Sequence, residues 1–282
     1  EAIAANVSQI NACPWCVDAH TMMLHGTGNG DATEAVYADD VIAPASSKFG
    51  AIMAWAKATR TPDDAQIQNP PFPAEHAPEV IGTAVVFHYL NRVVTMLLSE
   101  TFAPTSQWLN SSFKRVVGRI AVWMVRKNPF TPGESAQFLA ELDETTLPDD
   151  LQWAQSDPTI KTAFANFATL NARFEATLAP EVVSCVRSRV ETWEGEQMPL
   201  SRKWVEDAIN TLSDTDKPIA RLALLAALAP HQVEAGVIDA VRSVDYDDEQ
   251  LVNLLAWASF TAARRIGQWL YVEALRPQSI TT

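Results

Sequence analysis

Apolar residues recur at the 3.6-residue spacing of an α-helix along almost the whole chain. From Val80 to Leu98 they fall at Ile81, Val85, Val86, Tyr89, Leu90, Val93, Met96 and Leu97, a broad stripe that predicts a long helix with one buried side. Ser47 to Ala58 reads as a shorter helix closed by Thr61-Pro62. Pro70, Pro71, Pro73 and Pro78 then break the chain, because proline removes a helix hydrogen bond and collides with the preceding turn. No run alternates with the period of two that a half-buried strand requires. The expected fold class is all-α.

The helical pattern also suggests an internal repeat. Placing Phe87 on Phe260 superimposes Arg92 on Arg265 and Leu97 on Leu270. A shorter apolar helix precedes each, Ala51–Ala58 in one half and Ala220–Ala229 in the other. The expected organisation is two tandem helical units, residues 1–103 and 161–282, joined by a more polar segment over 104–160 that holds a helix at Phe113–Val125.

Composition fits this picture. Glycine, at 10 residues, is scarce, and alanine and leucine abound, which favours helices. The formal charge of −13, from 34 acidic and 21 basic side chains, repels phosphate backbones and anionic headgroups. Nucleic acid and membranes are therefore not expected as partners. No stretch approaches 18 consecutive apolar residues, the length a spanning helix needs. The chain opens on Glu1 in an amphipathic pattern, so a further segment is expected upstream. Three cysteines cannot form a multi-bridge secreted framework, and a cytoplasmic location is expected. The sequons at Asn6 and Asn110 then read as chance matches.

One stretch carries chemistry: Cys13-Pro14-Trp15-Cys16, followed by His20. Proline is favoured at the first position of a helix, which puts Cys13 near the N-cap and Cys16 in the first turn. The positive end of the helix stabilises a thiolate there. His20, four residues beyond Cys16, shares its helix face and can exchange a proton with the sulfur, directly or through one water. A carboxylate at Glu1 could orient that imidazole, although spacing alone does not bring the two together. Zinc is disfavoured, since His25 would give an awkward fourth ligand on one helix, and a thioredoxin-type site lacks its βαβ context. Cys185 stands alone and reads as a small buried hydrophobe. His88 reads as a hydrogen-bonded core residue, and Arg92 as the partner of an acidic side chain across the repeat.

Glu1, Ser8, Asn11, the Cys13–Cys16 dithiol and His20 together resemble the signature of the alkylhydroperoxidase D / carboxymuconolactone decarboxylase-like superfamily. Phe87-His88-Tyr89-Leu90-Asn91-Arg92 resembles the F-N-x-x-N-R segment of its peroxidase-related branch, and Trp257 to Arg265 resembles a degenerate second copy. The resemblance implies an all-helical homo-oligomer that reduces organic hydroperoxides. Cys16 would be the peroxidatic thiol, Cys13 the resolving thiol, and Glu1 with His20 the proton relay. It further implies reduction of the disulfide by a dithiol partner, a lipoyl or thioredoxin-like protein, with no bound cofactor or metal. Trp15 departs from the pattern, standing where the best-known peroxidase carries another histidine. A disulfide reductase and a non-enzymatic redox sensor or scaffold are the alternatives.

Overall fold

The computed structural model describes residues 1–28, 36, 48–98, 111–127, 131–134, 142 and 145–276. Among them every regular element is a helix, and there is no strand. The expected sequon at Asn110, the start of the expected helix at Ser47 and the boundary at residue 103 lie outside the described residues.

Helix α1 (Ala2–Ile10) and α2 (Pro14–Gly26) form a tight hairpin, with α3 (Lys48–Ala58) and the short α4 (Ala65–Gln68) beside it. Asp64 caps α4 by accepting from the Gln66 backbone N–H at 2.8 Å. Helix α5 (Ala77–Leu97) begins three residues earlier than the apolar stripe suggests, because Pro78 sits in its first turn, where no N–H is needed. Helix α6 is Ser111–Lys127. A 3-10 turn at Asp149–Ala154 leads to α7 (Pro158–Glu175) and α8 (Pro180–Glu191), then α9 (Lys203–Ile209), α10 (Asp216–Leu228), α11 (Ala235–Arg242) and α12 (Asp248–Leu270). Asp247 and Gln250 close a reciprocal capping box at the start of α12, which fixes where this long helix begins.

The two long helices, α5 and α12, pack along each other and form the axis of the molecule. The Trp153 indole wedges against both. It sits on Gly82 of α5 and Gly267 of α12, where an added Cβ would approach the ring to 3.3 and 2.9 Å. Phe164 completes the seat edge-on, 4.6 Å between ring centroids. One buried cluster runs from Val7 through Trp55, Ile81, Trp153, Val186 and Leu225 to Leu270, so both ends of the chain share a core. Ala74–Leu97 is, among the described residues, the one stretch long and apolar enough to cross a membrane by length and composition. Its His88, Asn91 and Arg92 are buried against neighbouring helices.

Helix α2 is covered on another side by α6, and the two backbones approach at Gly26 and Gly118. An added Cβ on Gly118 would lie 2.1 Å from the Met22 carbonyl oxygen, and one on Gly26 would lie 2.2 Å from the Gly118 carbonyl. Backbone cannot yield as a flexible side chain can. Gly118→Ala should therefore push α6 off α2 and cost about 1–3 kcal/mol, read as a lower denaturation midpoint. An unchanged midpoint would contradict this packing.

Candidate active site

The site grows from the α1–α2 hairpin. Helix α1 ends at Ile10, with Asn11 as its cap residue. Ala12 then adopts φ +51°, a left-handed conformation uncommon for a residue with a Cβ. This reverses the chain within one residue, so that Cys13 caps α2 and Pro14 starts it. The Cys13 N–H donates to the Ser8 carbonyl at 3.0 Å, and the Cys13 carbonyl accepts from Val17 N–H at 3.0 Å. Cys13 and Cys16 are joined as a disulfide across 5.4 Å between their Cα atoms, and both are buried.

His20 projects one turn beyond Cys16. Its Nδ1 lies 2.9 Å from Oε2 of Glu1, so the carboxylate that opens the chain meets the imidazole that spacing alone left unpaired. Phe87 of α5 presses edge-on to the His20 ring, 4.5 Å between centroids at 85°, and fixes its plane. Burial raises the Glu1 pKa, the His20 hydrogen bond lowers it, and the carboxyl sits below its ordinary value. With Nδ1 held by Glu1, Nε2 is the ring nitrogen that Glu1 leaves open.

Behind this outer layer lies a chain of directed hydrogen bonds. The Thr59 hydroxyl donates its single proton to the Ala56 carbonyl at 2.8 Å. Towards His88 Nε2, 2.9 Å away, it can therefore only accept, so Nε2 carries the imidazole proton. Nδ1 of His88 is then an acceptor and takes one amide hydrogen of Asn11 at 3.0 Å. The other Asn11 amide hydrogen goes to Asn91 Oδ1 at 3.0 Å. Asn91 in turn donates to the Ser8 hydroxyl at 3.0 Å, and Ser8 donates to the Ala4 carbonyl at 2.7 Å. Burial, and then the nearby Arg92 and Arg60 guanidinium groups, hold the His88 pKa well below the ordinary imidazole value, so the ring is neutral.

Arg92 does not meet the acidic partner expected for it. Its Nε donates to the Ala227 carbonyl of α10 at 2.8 Å and its Nη1 to the His88 carbonyl at 2.6 Å. Burial and then Arg60 lower its pKa to about 9, which leaves it cationic at neutral pH. Its charge is spread over carbonyl dipoles and the Trp193 ring, whose centroid lies 5.7 Å from the guanidinium carbon of Arg92 and of Arg60 alike. Arg60 donates to the carbonyls of Ile10, Gly195 and Glu196 and so ties the end of α1 to the second half of the chain. Arg265, aligned with Arg92 in sequence, is half-buried beside Trp269. Cys185 is half-buried and donates weakly to the Ala208 carbonyl at 3.5 Å, and burial raises its thiol pKa. Among the described residues no group of three or more His, Cys, Asp or Glu side chains could hold a metal ion.

No family model matches the chain, and no solved structure matches it. The chain is 42% identical over 274 residues, 96% of its own length and 76% of the relative's, to a protein of Mycobacterium tuberculosis named alkyl hydroperoxide reductase Rv2159c. The chain belongs to the alkylhydroperoxidase D-like superfamily. In this alkylhydroperoxidase D-like chain, Ser8, Asn11 and Asn91, noticed in the sequence only as motif residues, form one hydrogen-bonded set under the dithiol. Thr59 and Arg60 gave no sequence signal at all, because a threonine and an arginine at the end of a helix look like surface. Trp15 is half-buried next to the disulfide and supplies bulk without a titratable group.

Glu1 and His88 both predict a loss of stability on acidification, in different pH windows. The Glu1 carboxyl has a lower pKa folded than unfolded, so its contribution is full above the ordinary value of 4.5 and fades as pH falls through the depressed one. Glu1→Gln should lower stability by less than about 1 kcal/mol at pH 7, with the difference vanishing in that acidic window. His88 stays neutral while the unfolded chain takes up a proton below 6.5, so stability should fall on acidification below that pH. His88→Asn should remove up to about 1.4 kcal/mol per pH unit of that slope, measured by denaturant titrations between pH 4 and 7.

Proposed function

We propose that the chain is a thiol peroxidase that reduces organic hydroperoxides through a Cys16/Cys13 dithiol–disulfide cycle. The observation that carries this reading is the Glu1–His20 pair at 2.9 Å on the helix that bears the Cys13–Cys16 disulfide. The name of the Mycobacterium tuberculosis relative supports peroxide as the oxidant.

In the reduced protein, His20 Nε2 takes the Cys16 thiol proton while Glu1 holds Nδ1–H and stabilises the imidazolium that forms. The partial positive charge at the start of α2 stabilises the Cys16 thiolate. That thiolate attacks the outer peroxide oxygen, and the O–O bond breaks. Cys16 becomes a sulfenic acid, and the departing alkoxide takes the proton from His20 and leaves as the alcohol. The Cys13 sulfur then attacks the Cys16 sulfur. The S–O bond breaks, and hydroxide leaves with the Cys13 proton as water. Two thiols and one hydroperoxide thus give one disulfide, one alcohol and one water. The disulfide is the oxidised end of this sequence, and an external dithiol, such as a lipoyl or thioredoxin-like protein, restores it by two thiol exchanges.

Phe87 against His20 and the half-buried Trp15 beside Cys16 in the chain add apolar bulk near the dithiol, which suits an alkyl or aryl hydroperoxide better than hydrogen peroxide. A second copy of the chain is part of the proposal through the family resemblance.

Single-turnover mixing of the reduced protein with cumene hydroperoxide tests the reading. Loss of two thiols per chain is expected, with none in Cys16→Ser and a trappable sulfenic acid in Cys13→Ser. His20→Gln and Glu1→Gln should slow the peroxide step, the former by about 10²-fold or more. Thiols that survive peroxide but turn over a small disulfide would replace this reading with a disulfide reductase.

A further inference from the structure

The proton relay uses His20 and leaves His88 unused, although His88 is fully buried and satisfied at both ring nitrogens. We propose that His88 is a positioning residue of the dithiol: held as the Nε2–H form between Thr59 and Asn11, it fixes the turn that places the Cys13 sulfur beside Cys16. The inference rests on the dithiol couple and not on peroxide as substrate, so the two readings can fail separately.

The geometry of the hairpin carries it. The left-handed residue Ala12 costs free energy in any L residue, so the turn persists only where its surroundings over-determine it. Three backbone bonds close it on the α1 side, from Asn11 to Val7, from Ala12 to Gln9 and from Cys13 to Ser8, at 3.0 to 3.1 Å. Helix α5 grips the same three-residue turn from outside. His88 and Asn91 take both amide hydrogens of Asn11, the residue before Ala12. Asn91 also holds the hydroxyl of Ser8, whose carbonyl receives the N–H of Cys13. Asn11 and Cys13, on either side of Ala12, are thereby fixed to one rigid helix.

His88 is the member that gives this grip its direction. The Thr59 hydroxyl spends its proton on Ala56 and forces the imidazole proton to Nε2. Nδ1 is thereby an acceptor aimed at Asn11. Were the proton on Nδ1, it would oppose an amide hydrogen of Asn11, and the carboxamide would turn away. Arg92, bonded to the His88 carbonyl at 2.6 Å, adds a fixed charge beside the ring and holds that stretch of α5.

The tendency of two thiols to close into a disulfide rises with how well one is held beside the other, which is the logic of effective concentration. Loosening Cys13 should therefore weaken the disulfide whatever oxidant made it. The test is the reduction potential of the Cys13–Cys16 couple in the whole chain, read by equilibration in buffers of reduced and oxidised dithiothreitol. His88→Leu should reduce the equilibrium constant for disulfide formation at least tenfold, a rise in potential of about 30 mV. His88→Asn, which keeps an acceptor towards Asn11, should recover most of that change. Asn11→Ala reads the same arm from the hairpin side and should show the same rise, and His88→Leu added to it should shift the potential no further. Thr59→Val should also raise the potential. A potential unchanged in both Asn11→Ala and His88→Leu, with only the melting temperature lowered, would make His88 a core filler and overturn the proposal. An unchanged peroxide rate constant at Cys16 beside a raised potential would support it, because the first chemical step does not need Cys13.

Discussion

The two amide hydrogens of Asn11 are the point on which the arrangement of this site depends. Each enters an acceptor on α5, and a buried amide hydrogen left without one costs about 1–3 kcal/mol. Only one placement of the α1–α2 hairpin against α5 satisfies both. The polar residues of α5, His88, Asn91 and Arg92, follow the three- and four-residue spacing of one helix face. The first two take the hairpin, and the third reaches Ala227 of α10. This long apolar helix thus owes its register to three polar side chains, since apolar burial alone would tolerate several.

The same constraint gives the second half of the chain a part in the site. Arg60 spans from the Ile10 carbonyl, at the end of α1, to the Gly195 and Glu196 carbonyls. Gly195, at φ +93°, comes so close that a Cβ there would lie 1.8 Å from the Arg60 carbonyl oxygen. Trp193 lies against the guanidinium groups of both Arg60 and Arg92. The hairpin is therefore held by α5 on one side and by the segment after α8 on the other. A stretch of chain without a dithiol of its own still determines where the dithiol sits.

Much of this was legible in the sequence. Periodicity predicted α5 and the absence of strands, because a buried stripe must repeat with the helix. The cysteine spacing, Pro14 and His20 mark the candidate helix, since all lie within two turns along the chain. What pairs across the chain was not legible. Nothing local says that Glu1 meets His20, or that Arg60 crosses to Gly195, 135 residues away. The acidic partner expected for Arg92 is a charge argument, and the Ala227 carbonyl at the end of α10 and the His88 carbonyl within α5 meet the need instead. His88 read as a core residue, and it is one. Its role in the hairpin depends on the direction of a single hydroxyl proton, which no sequence pattern encodes.

His20 and His88 show how environment divides one residue type between two tasks. His20 belongs to the hairpin, one turn from Cys16, and His88 contacts the hairpin from α5 through Asn11. His20 is partly exposed, and its Nδ1 meets the Glu1 carboxylate. His88 is fully buried near two guanidinium groups, and a second proton there would meet desolvation and like charge together. That penalty suits the positioning role proposed for His88. A ring that changed its protonation state during the proposed cycle would release Asn11 each time it did so, and the thiol pair would lose its geometry. In the proposed cycle, keeping the mobile proton on the outer histidine and the fixed proton on the inner one would let the site turn over while its frame stays still.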